Sequence, residues 1–212
     1  MTVLLTGFEP FAGETENPSA DIARALDGEV IEGHPVMGVV LPCVFGEAIT
    51  ALKAALDRTN PVLVICLGQA GGRASISIER VAINLDDARI PDEAGQQPRD
   101  RPVIAEGPAA YFASLPVKAM TRALSDAGLP AEVSHTAGTF VCNHVFYGLM
   151  HALKERAQTR GGFVHVPFTS EQAARHGAPG LAIDEQIRSV RIAITTALAH
   201  EIDAKIAGGA TH

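Results

Sequence analysis

A cysteine in the first turn of a helix is a natural place for a nucleophile, and Cys142 has that setting. The stretch Ala137-Gly-Thr-Phe-Val-Cys142-Asn-His144 runs from loop-forming residues into an apolar pattern recurring at Val141, Val145, Leu149 and Leu153, the spacing of a helix. The first turn of a helix offers unpaired backbone N–H groups and the positive end of the macrodipole. Both favour thiolate over thiol, and the thiolate is the attacking species. The same N–H groups would serve an oxyanion, so the chemistry suggested is attack on a carbonyl.

Such a nucleophile needs a base, and the base needs an orienting group. His144 is two positions along the same helix, so its side chain points to another face. His165 is better situated, near the C-terminal end of the strand Gly162–Val166, where α/β sheets collect active-site groups. His135 closes another strand and is the second choice. For the acid, Ser75-Ile-Ser-Ile-Glu-Arg80 alternates strictly, so Glu79 shares a face with Ser75 and Ser77. A carboxylate in an otherwise apolar strand is costly unless paired, and an imidazole suits it. The candidate constellation is Cys142, His165 and Glu79.

Plainer readings stand beside this one. Cys66, and less firmly Cys43, read as small buried hydrophobes. His151 and His176 read as surface or capping residues, and Glu79 with Arg80 could belong to surface ion pairs. Gly68-Gln-Ala-Gly-Gly72 could cradle a phosphate but lacks the glycine spacing of the known phosphate loops. No pattern of ligands supports a metal.

The elements around these residues alternate between strand and helix, which predicts an α/β fold: one three-layer α/β/α domain over residues 1–212, with a twisted, mixed and largely parallel central sheet. Strands are expected at Val3–Leu5, within Val30–Leu41, at Val62–Leu67, Ser75–Asn84, Glu132–His135 and Gly162–Val166. Helices are expected after Asn17-Pro18, where Asn17 is the N-cap, then over Gly46–Arg58 and Pro116–Ala127, from Cys142, and over Ile183–Ile206. Residues 85–110 form a long aperiodic stretch, and loops of that length usually serve a function.

Composition narrows the class further. A chain of 212 residues, 47% hydrophobic and 19% charged, is globular and can bury a full core. Its net charge of −7 without a basic run argues against a nucleic-acid partner. Three cysteines without a zinc or disulfide spacing suggest a reducing compartment. Met1–Gly7 is too short and uncharged for a signal peptide, and no apolar run is long enough to span a membrane, so a cytoplasmic location is expected.

Several blocks together resemble the pyroglutamyl peptidase type I (pyrrolidone-carboxylate peptidase) family: Gly7-Phe-Glu-Pro-Phe11, Asn17-Pro-Ser19, Gly68-Gln-Ala-Gly-Gly-Arg73, Ile78-Glu-Arg-Val-Ala82, Asp87-Ala-Arg-Ile-Pro-Asp92, Gly107-Pro-Ala-Ala-Tyr-Phe112, Gly138-Thr-Phe-Val-Cys-Asn-His144 and Phe163-Val-His-Val-Pro-Phe168. They follow the family's order from about Leu4 to the final helix. The resemblance implies a cysteine peptidase that removes an N-terminal pyroglutamyl residue from peptides, without metal or organic cofactor, assembled as a homotetramer. It implies Cys142 as nucleophile, His165 as its histidine and Glu79 as its acid. The pyrrolidone pocket maps onto Phe8, Phe11, Ile90, Phe140 and Val141, with Asn17 and Gln69 in substrate-binding segments and Arg89 as a polar neighbour. Phe8 and Phe11 have a bland reading too, as anchors of their loop to the core. The sequence departs from the family pattern at Ala12 and Glu93, where Gly and Asn are expected, and at Cys43, where Thr is common.

Pyroglutamate carries a neutral lactam in place of an α-ammonium, so its recognition needs a flat apolar slot with a few polar groups rather than an acidic grip. Two other functions compete: a nonenzymatic binder of small molecules or nucleotides through Gly68–Gly72, and a thiol hydrolase acting on a different acyl group.

Overall fold

The computed structural model describes residues 1–209. In chain order its elements are β1 (Val3–Phe8), α1 (Pro18–Leu26), β2 (Val30–Ile31), β3 (His34–Leu41), α2 (Glu47–Thr59), β4 (Leu63–Gln69), β5 (Ile76–Glu79), β6 (Val81–Ile83), β7 (Ala110–Phe112), α3 (Val117–Asp126), β8 (Ala131–Ser134), α4 (Val141–Leu153), β9 (Arg160–Val166), α5 (Ser170–His176) and α6 (Ile183–Ala199). Seven strands form the main sheet in the order β2-β3-β1-β4-β9-β5-β8. Its central pairings β1–β3, β1–β4 and β4–β9 are parallel, as is β5–β8, whereas β2–β3 and β5–β9 are antiparallel. The fold is α/β with a mixed, mostly parallel sheet between helices.

The alternation of side chains along each strand builds two cores. In β4, Leu63, Ile65 and Leu67 face one cluster that includes Ile22 of α1, Met120 of α3 and Ile194 of α6. Val64 and Cys66 face the other, with Leu52 of α2 and Val145 of α4. Burial on both faces explains the unbroken apolar run that marked this strand. Asn17 caps α1 as expected, its Oδ1 accepting the Ser19 N–H at 3.1 Å, with Pro18 opening the helix. No helix among the described residues is long and apolar enough to cross a membrane.

Three expectations change. The strand expected over Ser75–Asn84 breaks at Arg80: β5 joins the main sheet, whereas β6 pairs with β7 in a separate ribbon. The Arg80 N–H goes to Ser134 and its carbonyl accepts from Ala113, so the chain changes partners immediately after Glu79. The last helix ends at Ala199 rather than Ile206, because His200 is extended and the chain beyond it crosses to α3. There the Asp203 carboxylate accepts the Lys118 and Ala119 N–H groups, supplying the cap that Pro116 lacks, while Ile202 is left 81% exposed. The helix α5 was not anticipated, although Thr169-x-x-Gln172 forms a capping box that announces it.

Asp203 therefore has a measurable job. Asp203→Ala is expected to lower stability by about 1 kcal/mol, the usual worth of an N-cap, measured as a shift in urea midpoint at unchanged m-value. An unchanged midpoint would show that the tail does not cap α3.

Candidate active site

The start of α4 meets the C-terminal ends of β4 and β9 on the face that carries Cys66 and Phe163. Gly68 is the register partner of His165, and partners across a ladder project to the same face. A Cβ built on Gly68 would lie 2.7 Å from Cys142 Sγ and 2.8 Å from Phe163 Cζ. The sulfur thus occupies space that any side chain at position 68 would claim, on the face to which His165 projects one strand away.

Glu79 arrives from the other side of His165. In the antiparallel β5–β9 pair Ser77 opposes His165 and Glu79 opposes Phe163. Glu79 and His165 are diagonal neighbours on one face, within reach of long side chains. Glu79 Oε1 accepts from His165 Nδ1 at 2.7 Å and from Arg73 Nη1 at 2.8 Å. A carboxylate oxygen accepts here, so Nδ1 is the donor and Nε2 is left to face away from Glu79. The carboxylate is 0% exposed, which rules out the surface ion pair with Arg80 considered from the sequence. Its cation is Arg73, which also donates to Ser134 and to the Thr136 carbonyl. The sequence reading did not single out Arg73; a buried carboxylate six residues away was the signal that could have found it.

Cys142 sits less simply than its helix position suggested. It keeps some surface, but its burial pushes the thiol well above its ordinary value; the neighbouring Cys43 and Glu79 add to this, and the Arg73 guanidinium opposes it. Burial thus works against the thiolate that the helix start favours. The dipole and unpaired N–H groups of the first turn remain, and the N-cap residue Phe140 offers no side-chain cap to α4. Cys43 and Cys66 are both pushed up to about 12, chiefly by burial, with Glu93, Asp92 and Glu9 raising Cys43 further.

The residues after Cys142 fasten the site. The Asn143 side chain bonds the Ile83 N–H and the Ile83 and Leu85 carbonyls, tying α4 to β6. His144 turns away as expected, its Nδ1 2.8 Å from Asp86 Oδ2 and its Nε2 accepting the Gly46 N–H at 2.9 Å. The second-choice histidine, His135, is exposed. His151 instead meets the Tyr111 hydroxyl at 2.9 Å, and His176 stacks on Phe168 and bonds Glu14.

Beside the sulfur, half-buried Phe140 is flanked by Phe11 at 6.1 Å and, edge-on, by Phe45 at 5.4 Å. Phe45 did not figure in the sequence reading. Thr139 is stapled to Asp87 by two hydrogen bonds, which ties the long loop, two and three residues before exposed Arg89 and Ile90, to the segment preceding α4. Gln69 Oε1 accepts from Gln172 at 2.9 Å. Phe8, Asn17 and Val141 are at most 2% exposed, so their side chains underlie the site and do not line it. Asn17 donates to the Glu9 carbonyl and steadies the loop that bears Phe11. The loop expected as an alternative phosphate cradle is filled by protein: Gly68 yields to the sulfur, and a Cβ on Gly71 would lie 2.3 Å from Phe168 Cζ. Among the described residues no group of three or more His, Cys, Asp or Glu is arranged to hold a metal ion.

Comparison with known proteins shows the family. Residues 1–200 match the family described as pyroglutamyl peptidase, Peptidase_C15. The chain is 58% identical over 211 residues to a pyrrolidone-carboxylate peptidase of Klebsiella pneumoniae, covering 99% of each chain. It is 57% identical to one of Cupriavidus taiwanensis over 214 residues, covering 100% of this chain and 99% of that one. Its structure is similar to the crystal structure of Bacillus amyloliquefaciens pyroglutamyl peptidase I, with a TM-score of 0.94, 46% identity and coverage of 96% and 99% of the two chains. A mutant pyrrolidone carboxyl peptidase of Pyrococcus furiosus gives a TM-score of 0.93 at 40% identity, covering 95% of this chain and 100% of that one.

Two outcomes follow from the packing around the sulfur. Gly68→Ala displaces Cys142 and is expected to lower the activity of the site by about 100-fold, the effect of an ångström's misplacement, with circular dichroism unchanged; full activity would mean the sulfur does not depend on that space. Unfolded thiols ionise near pH ~8.5 while Cys43 and Cys66 hold their protons to about 12, so their contribution to stability is complete below that range and is lost as pH rises through it. The urea midpoint should fall between pH 8 and pH 10, reflecting a loss of unfolding free energy of up to ~1.4 kcal/mol per pH unit for each thiol, and fall less steeply in Cys66→Ala. A pH-independent midpoint would contradict this.

Proposed function

The chain belongs to the pyroglutamyl peptidase family, and we propose that Cys142, His165 and Glu79 carry out its reaction within a single domain spanning residues 1–212. The activity is that of a cysteine peptidase, hydrolysis of the amide bond that follows an N-terminal pyroglutamyl residue of a peptide. The observation that carries the proposed roles is the Glu79–His165 hydrogen bond of 2.7 Å, formed beside the glycine over which the Cys142 sulfur lies.

In this reading Glu79 fixes the tautomer of His165 and stabilises the imidazolium when it forms. His165 Nε2 takes the proton from the Cys142 thiol as the sulfur attacks the pyroglutamyl carbonyl carbon. Burial opposes the resulting thiolate, and the imidazolium of His165 offsets that cost by pairing with it. The oxyanion is held by N–H groups of the uncapped first turn of α4. His165 then gives its proton to the departing amine, the C–N bond breaks, and a pyroglutamyl thioester remains. Water, deprotonated by the same nitrogen, attacks that thioester; the C–S bond breaks and the sulfur regains its proton.

Phe11, Phe140 and Ile90 supply the apolar slot for the lactam ring, with Gln69 and Arg89 as polar neighbours and Phe8, Asn17 and Val141 as its support. Because the lactam nitrogen is uncharged, a slot without a buried acidic group against the ring suffices. Assembly as a homotetramer and residence in the cytoplasm complete the proposal, and a solution molecular-mass measurement decides the first.

A fluorogenic pyroglutamyl amide tests the assignment. Wild type should release the fluorophore under reducing conditions, Cys142→Ala should fall to background, and Glu79→Gln should lose about 100-fold or more in turnover while remaining folded. Full turnover in Cys142→Ala, or an unchanged rate in Glu79→Gln, would remove that residue from the mechanism. Prolyl and acetyl amides serve as controls for a hydrolase of another acyl group.

A further inference from the structure

The slot has two walls that neither the sheet nor a helix holds. Phe11 follows β1 and Phe45 lies between β3 and α2, yet both pack on Phe140 from different sides. Their backbones are gripped by consecutive residues of the long loop. The Phe45 N–H donates to Asp92 Oδ2 at 2.9 Å, and the Ala12 N–H, next to Phe11, donates to Glu93 Oε1 at 2.9 Å.

The two grips differ in kind. Asp92 is 5% exposed, and its other oxygen accepts the Ala94 and Gln96 N–H groups at 2.9 and 2.7 Å. Gln96 donates back to the Phe45 carbonyl at 3.2 Å, so the Phe45 wall is bound as one rigid unit. Glu93 is exposed, and its backbone N–H bonds the Cys43 carbonyl at 3.3 Å on the Phe45 side. Its side chain alone reaches across to the Phe11 side. There Ala12 has φ +54°, a left-handed conformation that an L-residue adopts unwillingly and keeps only when its surroundings hold it. The far end of that loop is secured separately, by Arg175 and His176 on Glu14 and by Arg175 on Glu16. Among the described residues, the Glu93 carboxylate is thus the side-chain tie between the Phe11 tip and the opposite wall. Ala12, Cys43 and Glu93, the three departures from the family pattern seen in the sequence, meet in this one bridge.

We propose that Glu93 is a specificity-determining positioning residue: by holding Ala12 it sets the separation of the Phe11 and Phe45 walls around Phe140, and so the fit of the slot to a flat five-membered lactam. The proposal rests on the pyroglutamyl reading given above. Glu93 has no part in bond making. Its loss loosens substrate binding and leaves the chemistry of the bound complex intact.

The test measures kcat and KM for pyroglutamyl and prolyl aminomethylcoumarin amides with wild type, Glu93→Ala and Glu93→Gln, alongside thermal melting. Glu93→Ala is expected to raise KM for the pyroglutamyl amide about three- to tenfold, the worth of one hydrogen bond, with kcat altered less than about twofold. Its preference for pyroglutamyl over prolyl should fall. Glu93→Gln keeps both the length and an acceptor oxygen, and should restore KM to within about twofold of wild type. An unchanged KM in Glu93→Ala, a loss confined to kcat, or a glutamine variant as impaired as alanine with equal melting would overturn the proposal. Wild type inert toward the pyroglutamyl amide would overturn the functional reading itself, and that result appears before any variant is compared.

Discussion

A carboxylate with no exposed surface is the constraint around which this molecule is organised. Glu79 ends β5 inside the sheet, where an unpaired charge would cost several kcal/mol. It is tolerated because one oxygen accepts from both His165 and Arg73. That requirement reaches far into the fold: β9 must present His165 diagonally across an antiparallel pairing, and the segment before β5 must return Arg73 to the end of the strand it precedes. Arg73 is anchored in turn by Ser134 at the end of β8 and by the Thr136 carbonyl just beyond it, so β5, β9, the segment before β5 and the end of β8 converge on one acid. The antiparallel placement of β5 in a mostly parallel sheet supplies the diagonal geometry.

The sulfur is governed by a different physics, that of space. Cys142 reaches the sheet because position 68 has no side chain, and the register of β4 with β9 makes the neighbour of that gap His165. Burial on this shelf disfavours a charged sulfur, while Glu79 orients the imidazole that projects to the same face. The residues that follow Cys142 spend their polar atoms on scaffolding: Asn143 clasps β6, and His144 bridges Asp86 and the entrance to α2.

The alternation of Ser75 to Glu79 and the apolar run of β4 were legible in the sequence because each follows from a local period, and the face of Glu79 and the double burial of β4 come directly from them. The identities of Cys142, His165 and Glu79 were readable from position in their elements. The bonds between them depend on strand order and register, which local pattern does not encode. Arg73 escaped notice for that reason, and so did Phe45, which meets Phe140 edge-on only through the tertiary fold. The pull of burial on the thiol was not legible, because the helix start is a local feature whereas burial comes from the packing of β4, β9 and α4. The last helix was read too long because Ile202 and Ile206 continue its apolar stripe, yet Asp203 is drawn off to cap α3.

The central claim is that the Cys142 sulfur, and no other, carries the pyroglutamyl group. Rapid acid quenching of the enzyme during turnover of an activated pyroglutamyl ester, followed by peptide mass mapping, tests it directly. The account predicts a pyroglutamyl adduct on the peptide containing Cys142, absent when turnover is complete. An adduct on Cys43 or Cys66, or turnover with no acylated peptide at any quench time, would contradict it.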